Sequence, residues 1–124
     1  MQIALAASAA ILFSAGTVHA AVDDVVLPSG LTGYLHEVIT DEATGRYRYR
    51  FVAPEFSTEA ALDVVSADLD HLCAEIALPE VPEGGQIIVS LANEPSDFGV
   101  AAPNIAQVFE AYRAESGRCI WEEF

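Results

Sequence analysis

The chain of 124 residues contains no lysine, and its five arginines stand against 19 acidic residues, so that the formal net charge is −14. A field of this sign repels nucleic-acid phosphates and anionic lipid headgroups. We therefore expect neither nucleic acid nor, after removal of a leader, a membrane surface as a partner. The remaining interpretations of the charge are solubility alone or attraction to a basic partner or to cations. The expected partner is a basic or apolar protein surface, and a monomer is expected.

The N-terminal apolar run is too short to cross a bilayer core, which takes about 20 residues. Residues 3–13 are apolar and uncharged, a length typical of the central region of a signal peptide. The small or modest side chains of Val18 and Ala20 predict cleavage after Ala20. No Lys or Arg precedes the run, so an upstream start and a buried N-terminal helix stay open as alternatives. Residues 1–20 thus predict a periplasmic or secreted product.

The chain has only two cysteines, Cys73 and Cys119. An even number of cysteines in an oxidising compartment favours a disulfide. This bond would close a loop of about 47 residues, which the chain-entropy model values near 4 kcal/mol. The alternative is two buried free thiols.

No catalytic signature is present. The serines lack the glycine-framed context of a nucleophile elbow. His71 lies two residues from Cys73 on a predicted helix, so the two side chains point apart and do not form a nucleophile–base pair. We assign no catalytic residue and expect no cofactor.

The clearest local pattern is the strict alternation of arginines and aromatic residues over residues 46–52. Period 2 predicts a strand with the aromatic residues on one face and Arg46, Arg48 and Arg50 on the other. Residues 34–40 predict its hairpin partner, with a bulge near Glu37. The arginine face could clamp a carboxylate or a phosphate bidentately, or it could simply pair with Glu37 and other local acids.

The remaining segments predict a two-layer α+β sandwich. Helical spacing predicts a helix over 58–77, capped by Ser57 or Thr58, with a buried stripe that includes Leu62. A strand over 86–91, a second helix from Pro103 to Gly117 and a strand over 119–124 follow. We expect a mostly antiparallel or mixed sheet of three or four strands with two helices on one face, formed by residues 34–124 after an extended leader over 21–33.

Three further side chains share one face of the first predicted helix. Asp68, His71 and Glu75 at this spacing could hold a transition metal with waters, and the alternative is a solvated face of an acidic helix. In the loop 93–102, Phe98 is either a docking residue for a partner or a side chain that folds back on the core. Trp121 in the last strand is the other candidate docking residue.

Several short blocks in order resemble a family of small exported alphaproteobacterial proteins of unknown function. The similarity covers roughly residues 46–124, and the blocks are His71-Leu72-Cys73, Ile87-Ile88-Val89-Ser90-Leu91, Phe98-Gly99 with Ala101-Ala102-Pro103, Phe109-Glu110-Ala111-Tyr112-Arg113 and Cys119-Ile120-Trp121-Glu122. The resemblance implies a single exported domain and assigns no residue a role.

The sequence therefore predicts a non-enzymatic periplasmic binding or interaction module held by one disulfide. Its partner surface would use Phe98, Trp121 or the arginine face. The alternatives are an enzyme of unrecognised type and a metal-binding protein, both of which would use Asp68, His71 and Glu75.

Overall fold

The computed structural model describes residues 24–123, and the predicted signal peptide, the first residues of the predicted leader and Phe124 lie outside them. Within this range the chain forms six strands and one α-helix. The elements are β1 (Val25–Val26), β2 (Thr32–Asp41), β3 (Arg46–Val52), α1 (Leu62–Leu72), β4 (Gln86–Ala92), β5 (Gln107–Glu115) and β6 (Arg118–Glu122).

The strands make a single mixed sheet that curls into a half-barrel, and their spatial order is the same as their order in the chain. All neighbouring pairs are antiparallel except β3 and β4, which are parallel. Parallel neighbours need a crossover connection, and here it contains α1. The helix covers one face of the sheet, and the opposite face carries the arginines of β3.

The predicted two-layer sandwich, with three or four strands and two helices, is wrong. The described residues form six strands and only one α-helix. The prediction fails mainly at the segment between Pro103 and Gly117, where helical spacing predicts a second helix. This segment holds a loop and the long strand β5 instead.

The pattern of β5 satisfies two periodicities at once. Val108, Phe109 and Tyr112 fit a helical stripe, but Val108, Glu110 and Tyr112 also alternate with the residues between them. The deciding feature is the turn that follows, in which Ser116 and Gly117 both have positive φ, 54° and 75°. Two such residues between paired strands form the type I′ turn of a tight hairpin. Gly117, which the sequence predicts as a helix end, therefore closes the β5–β6 hairpin instead.

The helix α1 is shorter than predicted. It begins at Leu62 rather than near residue 58, its N-cap is Ala61, and no side chain caps it. Leu62, expected in the buried stripe, is 81% exposed. After Leu72 the chain continues as a π-helical turn, Cys73–Ala77, and a 3₁₀ turn, Leu78–Glu80, where Pro79 ends the helical path. Across residues 24–123 no helix has the length and apolar character needed to cross a membrane.

The hairpin of β2 and β3 is confirmed. Asp41 pairs with Arg46, and the register shifts between Leu35 and Glu37, where the bulge was expected. The alternation of β3 is confirmed as well, because Tyr49 and Phe51 are buried beneath α1. The core lies between α1 and this face of the sheet, and its other members include Leu69, Leu72, Ile87, Val89, Leu91 and Tyr112.

The predicted disulfide is confirmed. Cys73 and Cys119 are bonded, and their Cα atoms lie 6.4 Å apart. The bond joins the π-helical turn after α1 to β6, the last strand of the described sheet. It thus fixes the end of the helical segment to one side of the sheet.

Two buried tyrosines tie the helical segment to the sheet and should make stability fall at alkaline pH. Tyr49 donates to Glu80 Oε1 at 3.0 Å and Tyr112 donates to Asp70 Oδ1 at 2.7 Å. Burial, followed by the hydrogen bond to Glu80, raises the pKa of Tyr49 to about 12, and burial, followed by the hydrogen bond to Asp70, raises the pKa of Tyr112. Because the folded pKa lies above the unfolded value of about 10, the contribution is complete below pH ~10 and disappears as the pH rises through ~12.

We therefore expect the melting temperature to fall more steeply between pH 9 and 12 for the parent protein than for Tyr49→Phe. The phenylalanine variant lacks the titrating group but keeps the buried ring. Thermal unfolding followed by circular dichroism at several pH values measures the two slopes. Equal slopes for the two proteins would contradict the conclusion that the raised pKa of Tyr49 makes stability fall at alkaline pH.

Candidate functional site

The face of the sheet opposite α1 carries a groove that we call the arginine groove. Its floor is formed by side chains of β3, β4 and β5, and its wall is the loop between β4 and β5, which crosses the sheet at this point. The cavity measures about 290 Å³. This volume is near the lower limit for pockets that hold small organic ligands.

The loop wall is held at two places. At its base, Asn93 accepts through Oδ1 from the amide of Ala106 at 3.0 Å, and the amide of Asn93 donates to the carbonyl of Ala106 at 3.1 Å. Farther along, Ser96 accepts from Arg50 at its hydroxyl and from His36 at its carbonyl oxygen. These contacts fix both ends of the segment that carries Phe98.

The tip of the loop is a turn in which the amide of Val100 donates to the carbonyl of Asp97 at 3.3 Å. Phe98 lies in this turn and is 51% exposed. Its ring covers the guanidinium of Arg48, at 4.8 Å from the ring centroid, and that of Arg50, at 5.6 Å. Phe98 therefore packs on the arginine face and not on the core beneath α1.

The three arginines of β3 have different partners. Arg46 donates to Gln86 Oε1 at 2.8 Å. Arg50 is buried, forms an ion pair with Glu37 at 2.5 Å and donates to Ser96 Oγ at 3.2 Å. The pairing of the arginine face with Glu37, one of the two interpretations open from the sequence, is thus found for Arg50.

Arg48 differs from its neighbours because its guanidinium forms neither a hydrogen bond nor an ion pair with any described residue. Among the described residues, its guanidinium makes a cation–π contact with the ring of Phe98. Burial, and then the nearby charges of Arg46 and Arg50, lower the pKa of Arg48 below its ordinary value. Only two of the five arginines, Arg50 and Arg113, form ion pairs with carboxylates of the described residues.

Ser90 is a second unsatisfied group in the groove. It lies on β4 opposite Arg50 of β3 and Phe109 of β5, so its side chain shares the arginine face. The residue is only 8% exposed, and its hydroxyl makes no hydrogen bond with any described residue. A buried polar group without a partner is rare in native proteins and often marks a place for a ligand or a water.

The groove combines these two donors with apolar walls. Ile88 of β4 and Phe109 of β5 contribute apolar surface on the sheet side, and Val100, which is exposed, contributes on the loop side. Gln107 and Asp97 complete the polar lining, and Asp97 is exposed to solvent. The arrangement can bind an anionic group at Arg48 and Ser90 and cover an attached apolar group.

The structure separates the other predicted docking residue from this site. Trp121 lies on the face of the sheet that carries Tyr112, opposite the arginines, and is 55% exposed. Its indole N–H donates to Glu110 Oε2. Phe98 and Trp121 therefore do not form one surface, and only Phe98 belongs to the arginine groove.

The predicted metal ligands have unlike environments. Asp68 is buried and accepts from the amide of Ser29 at 2.9 Å, His71 is half-buried and Glu75 is exposed. In the part of the chain that the structure describes, no three His, Cys, Asp or Glu side chains converge as a metal centre requires. Metal binding by this trio stays a prediction without geometric support.

Sequence reasoning missed Ser90, Gln107 and Val100 as groove residues. Ser90 carried a usable signal, since it is the one hydroxyl within the apolar run Ile87–Leu91. Gln107 and Val100 gave none, because their approach to the arginines depends on the path of the loop and on β5 being a strand.

Comparison with known proteins identifies the family of the chain without giving an activity. The profile of the Family of unknown function (DUF6497) matches residues 6–124, and the chain belongs to this family. No curated protein and no solved structure matches the chain. The resemblance to a family of unknown function is thereby confirmed, while export and restriction to alphaproteobacteria stay predictions.

Proposed function

We propose that this member of a family of unknown function is a non-enzymatic binding module that holds a small anion in the arginine groove. The observation that carries the proposal is Arg48, a half-buried cation in the groove that forms neither a hydrogen bond nor an ion pair with any described residue although the chain carries 19 acidic residues. Such a chain offers many carboxylates for pairing, yet the groove keeps this guanidinium open. A bound anion would supply the missing charge.

The surroundings of Arg48 support the same conclusion. A guanidinium that stacks on an aromatic ring uses its face, so its N–H edges remain able to form paired hydrogen bonds with a carboxylate or phosphate. The Ser90 hydroxyl, buried and without a partner among the described residues, adds a donor in the same groove. Arg50 is already neutralised by Glu37, so it positions Ser96 and the loop and does not act as the main anion ligand.

The proposal includes export of the protein, as a monomer, to a periplasmic or extracellular space. Disulfides form and persist in such oxidising compartments, and the Cys73–Cys119 bond fits this environment. From the resemblance found in the sequence, the proposal further includes that the members of the family are exported proteins of alphaproteobacteria. A native product that still carried residues 1–20, when measured as an intact mass, would contradict export.

Anion binding can be tested by titration of the purified protein with inorganic phosphate, acetate and benzoate at constant ionic strength. We expect saturable NMR shifts of the Arg48 Nε–Hε signal and of the loop 93–106 with at least one of these anions. Arg48→Gln should weaken binding by about tenfold or more, since a charge-assisted hydrogen bond contributes roughly 1.5–3 kcal/mol.

Arg118→Gln is the matched control, because Arg118 is an exposed arginine on β6 and does not line the groove. It should bind the same anions as the parent protein. The proposal fails if none of the three anions gives a saturable shift, or if Arg48→Gln binds as tightly as the parent.

A further inference from the structure

The charges around the arginine groove restrict the anion to a single negative charge. Of the two guanidinium groups that line the groove, Arg50 is paired with Glu37, and only Arg48 is left without a carboxylate partner among the described residues. Asp97 adds a negative charge to the lining, and the chain as a whole carries −14. In the lining, a dianion would meet one uncompensated cation within a strongly negative field, whereas a monoanion matches that cation.

The lining also requires that the ligand have an apolar part. Phe98 and Val100 are large apolar side chains that stay more than half exposed, and both border the groove. Ile88 of β4 forms an apolar part of the groove floor, between Arg48 of β3 and Ala111 of β5. A ligand that covered Phe98 and Val100 would remove their exposed apolar surface from water, which a bare inorganic anion cannot do.

The cavity limits the size of this apolar part. Its volume of about 290 Å³ lies below the range typical of drug-sized ligands. The loop is fastened at Asn93 and Ser96, so the groove is formed before a ligand enters. A compact ring or a short branched chain fits this space, and a long acyl chain does not.

From these observations we infer that the ligand of the arginine groove is a small monocarboxylate with a compact apolar body. This inference rests on the proposed anion-binding function and names its ligand class. The carboxylate binds the N–H edge of Arg48 and accepts from the Ser90 hydroxyl. The apolar body lies between Ile88 and the loop residues Phe98 and Val100.

Four probes separate the features of this ligand class. Benzoate carries both the carboxylate and the apolar ring, acetate has the carboxylate alone, benzyl alcohol has the ring without the charge, and inorganic phosphate has charge without an apolar body. Titrations of the purified protein by NMR or calorimetry should show benzoate binding at least about tenfold more tightly than each of the other three. A buried ring accounts for a difference of this size over acetate.

Two variants connect the selectivity to the residues. Phe98→Ala should reduce the preference for benzoate over acetate severalfold and leave acetate binding nearly unchanged. Ser90→Ala should weaken both carboxylates by about three- to tenfold, because each loses one hydrogen bond. Both substitutions shorten a side chain at the surface of the groove, and a near-UV spectrum like that of the parent would show that they fold.

The outcomes distinguish the inference from the proposed function. If acetate or phosphate binds as tightly as benzoate and Arg48→Gln abolishes this binding, the ligand class is wrong and anion binding stands. If benzyl alcohol binds as tightly as benzoate, the groove does not recognise charge, and both are wrong. If no anion binds, both are also wrong.

Discussion

Removal of the Cys73–Cys119 disulfide is expected to lower the free energy of unfolding by about 4 kcal/mol. The bond links residues 46 positions apart, and a crosslink of this span restricts the unfolded chain by that amount in the entropy model. Typical domains are stable by about 5–15 kcal/mol, so the loss is a large share of the total. We expect the double variant Cys73→Ala with Cys119→Ala to remain folded only at low temperature and low denaturant concentration.

Urea unfolding of the parent and the double variant measures the difference directly. The parent protein treated with a reductant in mild denaturant should approach the midpoint of the double variant, and the double variant itself should not respond to the reductant. A midpoint that is the same for the parent and the double variant would show that the disulfide does not stabilise the domain. Cys73 is fully buried, so each midpoint must be taken after equilibration.

The second large effect is expected for Phe51→Ala, which should destabilise the protein by about 3–5 kcal/mol. Phe51 is only 1% exposed and lies on β3 between Leu35 of β2 and Leu91 of β4. Truncation removes a whole ring from the layer between the sheet and α1. The surrounding strands are hydrogen-bonded on both sides and cannot close the resulting cavity.

Phe98→Ala provides the matched control, since it removes the same ring from the loop over the arginine groove. Phe98 is about half exposed and contacts arginines and no part of the core cluster. Its truncation should change the free energy of unfolding by less than about 1 kcal/mol. If the two variants lost similar free energies of unfolding, Phe98 would belong to the structural core together with the residues on the face that α1 covers.

The alternation of β3 was readable from the sequence because period 2 has no competing interpretation there. Arg46, Arg48 and Arg50 cannot share a face with Tyr49 and Phe51 in a strand, and no helical stripe fits the same letters. The disulfide was predictable for a similar reason, since the chain contains only one possible pair. Both predictions depend on local composition or on counting, and neither needs the tertiary arrangement.

The error at β5 has the opposite cause. Its apolar residues fit both a helix and a strand, and the choice depends on which neighbours cover them. β4 on one side and β6 on the other complete its hydrogen bonds, and these contacts are not visible in the segment itself. A tight turn at Ser116 and Gly117 was the local signal for a hairpin, but a glycine also ends many helices.

The candidate site was half predictable. The arginine face and Phe98 were identified separately, because each stands out in its own segment. Their contact could not be derived, since it requires the loop after β4 to fold back over β3, a strand two elements earlier in the chain. The difference between Arg48 and Arg50 depends on the single ion pair with Glu37, which the bulge in β2 helps to place.

The agreement between strand order and chain order has a consequence for how the domain assembles. Each strand can add to the one before it, and four of the five strand pairs are antiparallel pairs of consecutive strands that a turn or loop connects directly. The exception is the parallel join of β3 to β4, which needs a long connection to close first. Cys119 lies in the last of the described strands, so its bond to Cys73 encloses β4 and β5 in one covalent loop.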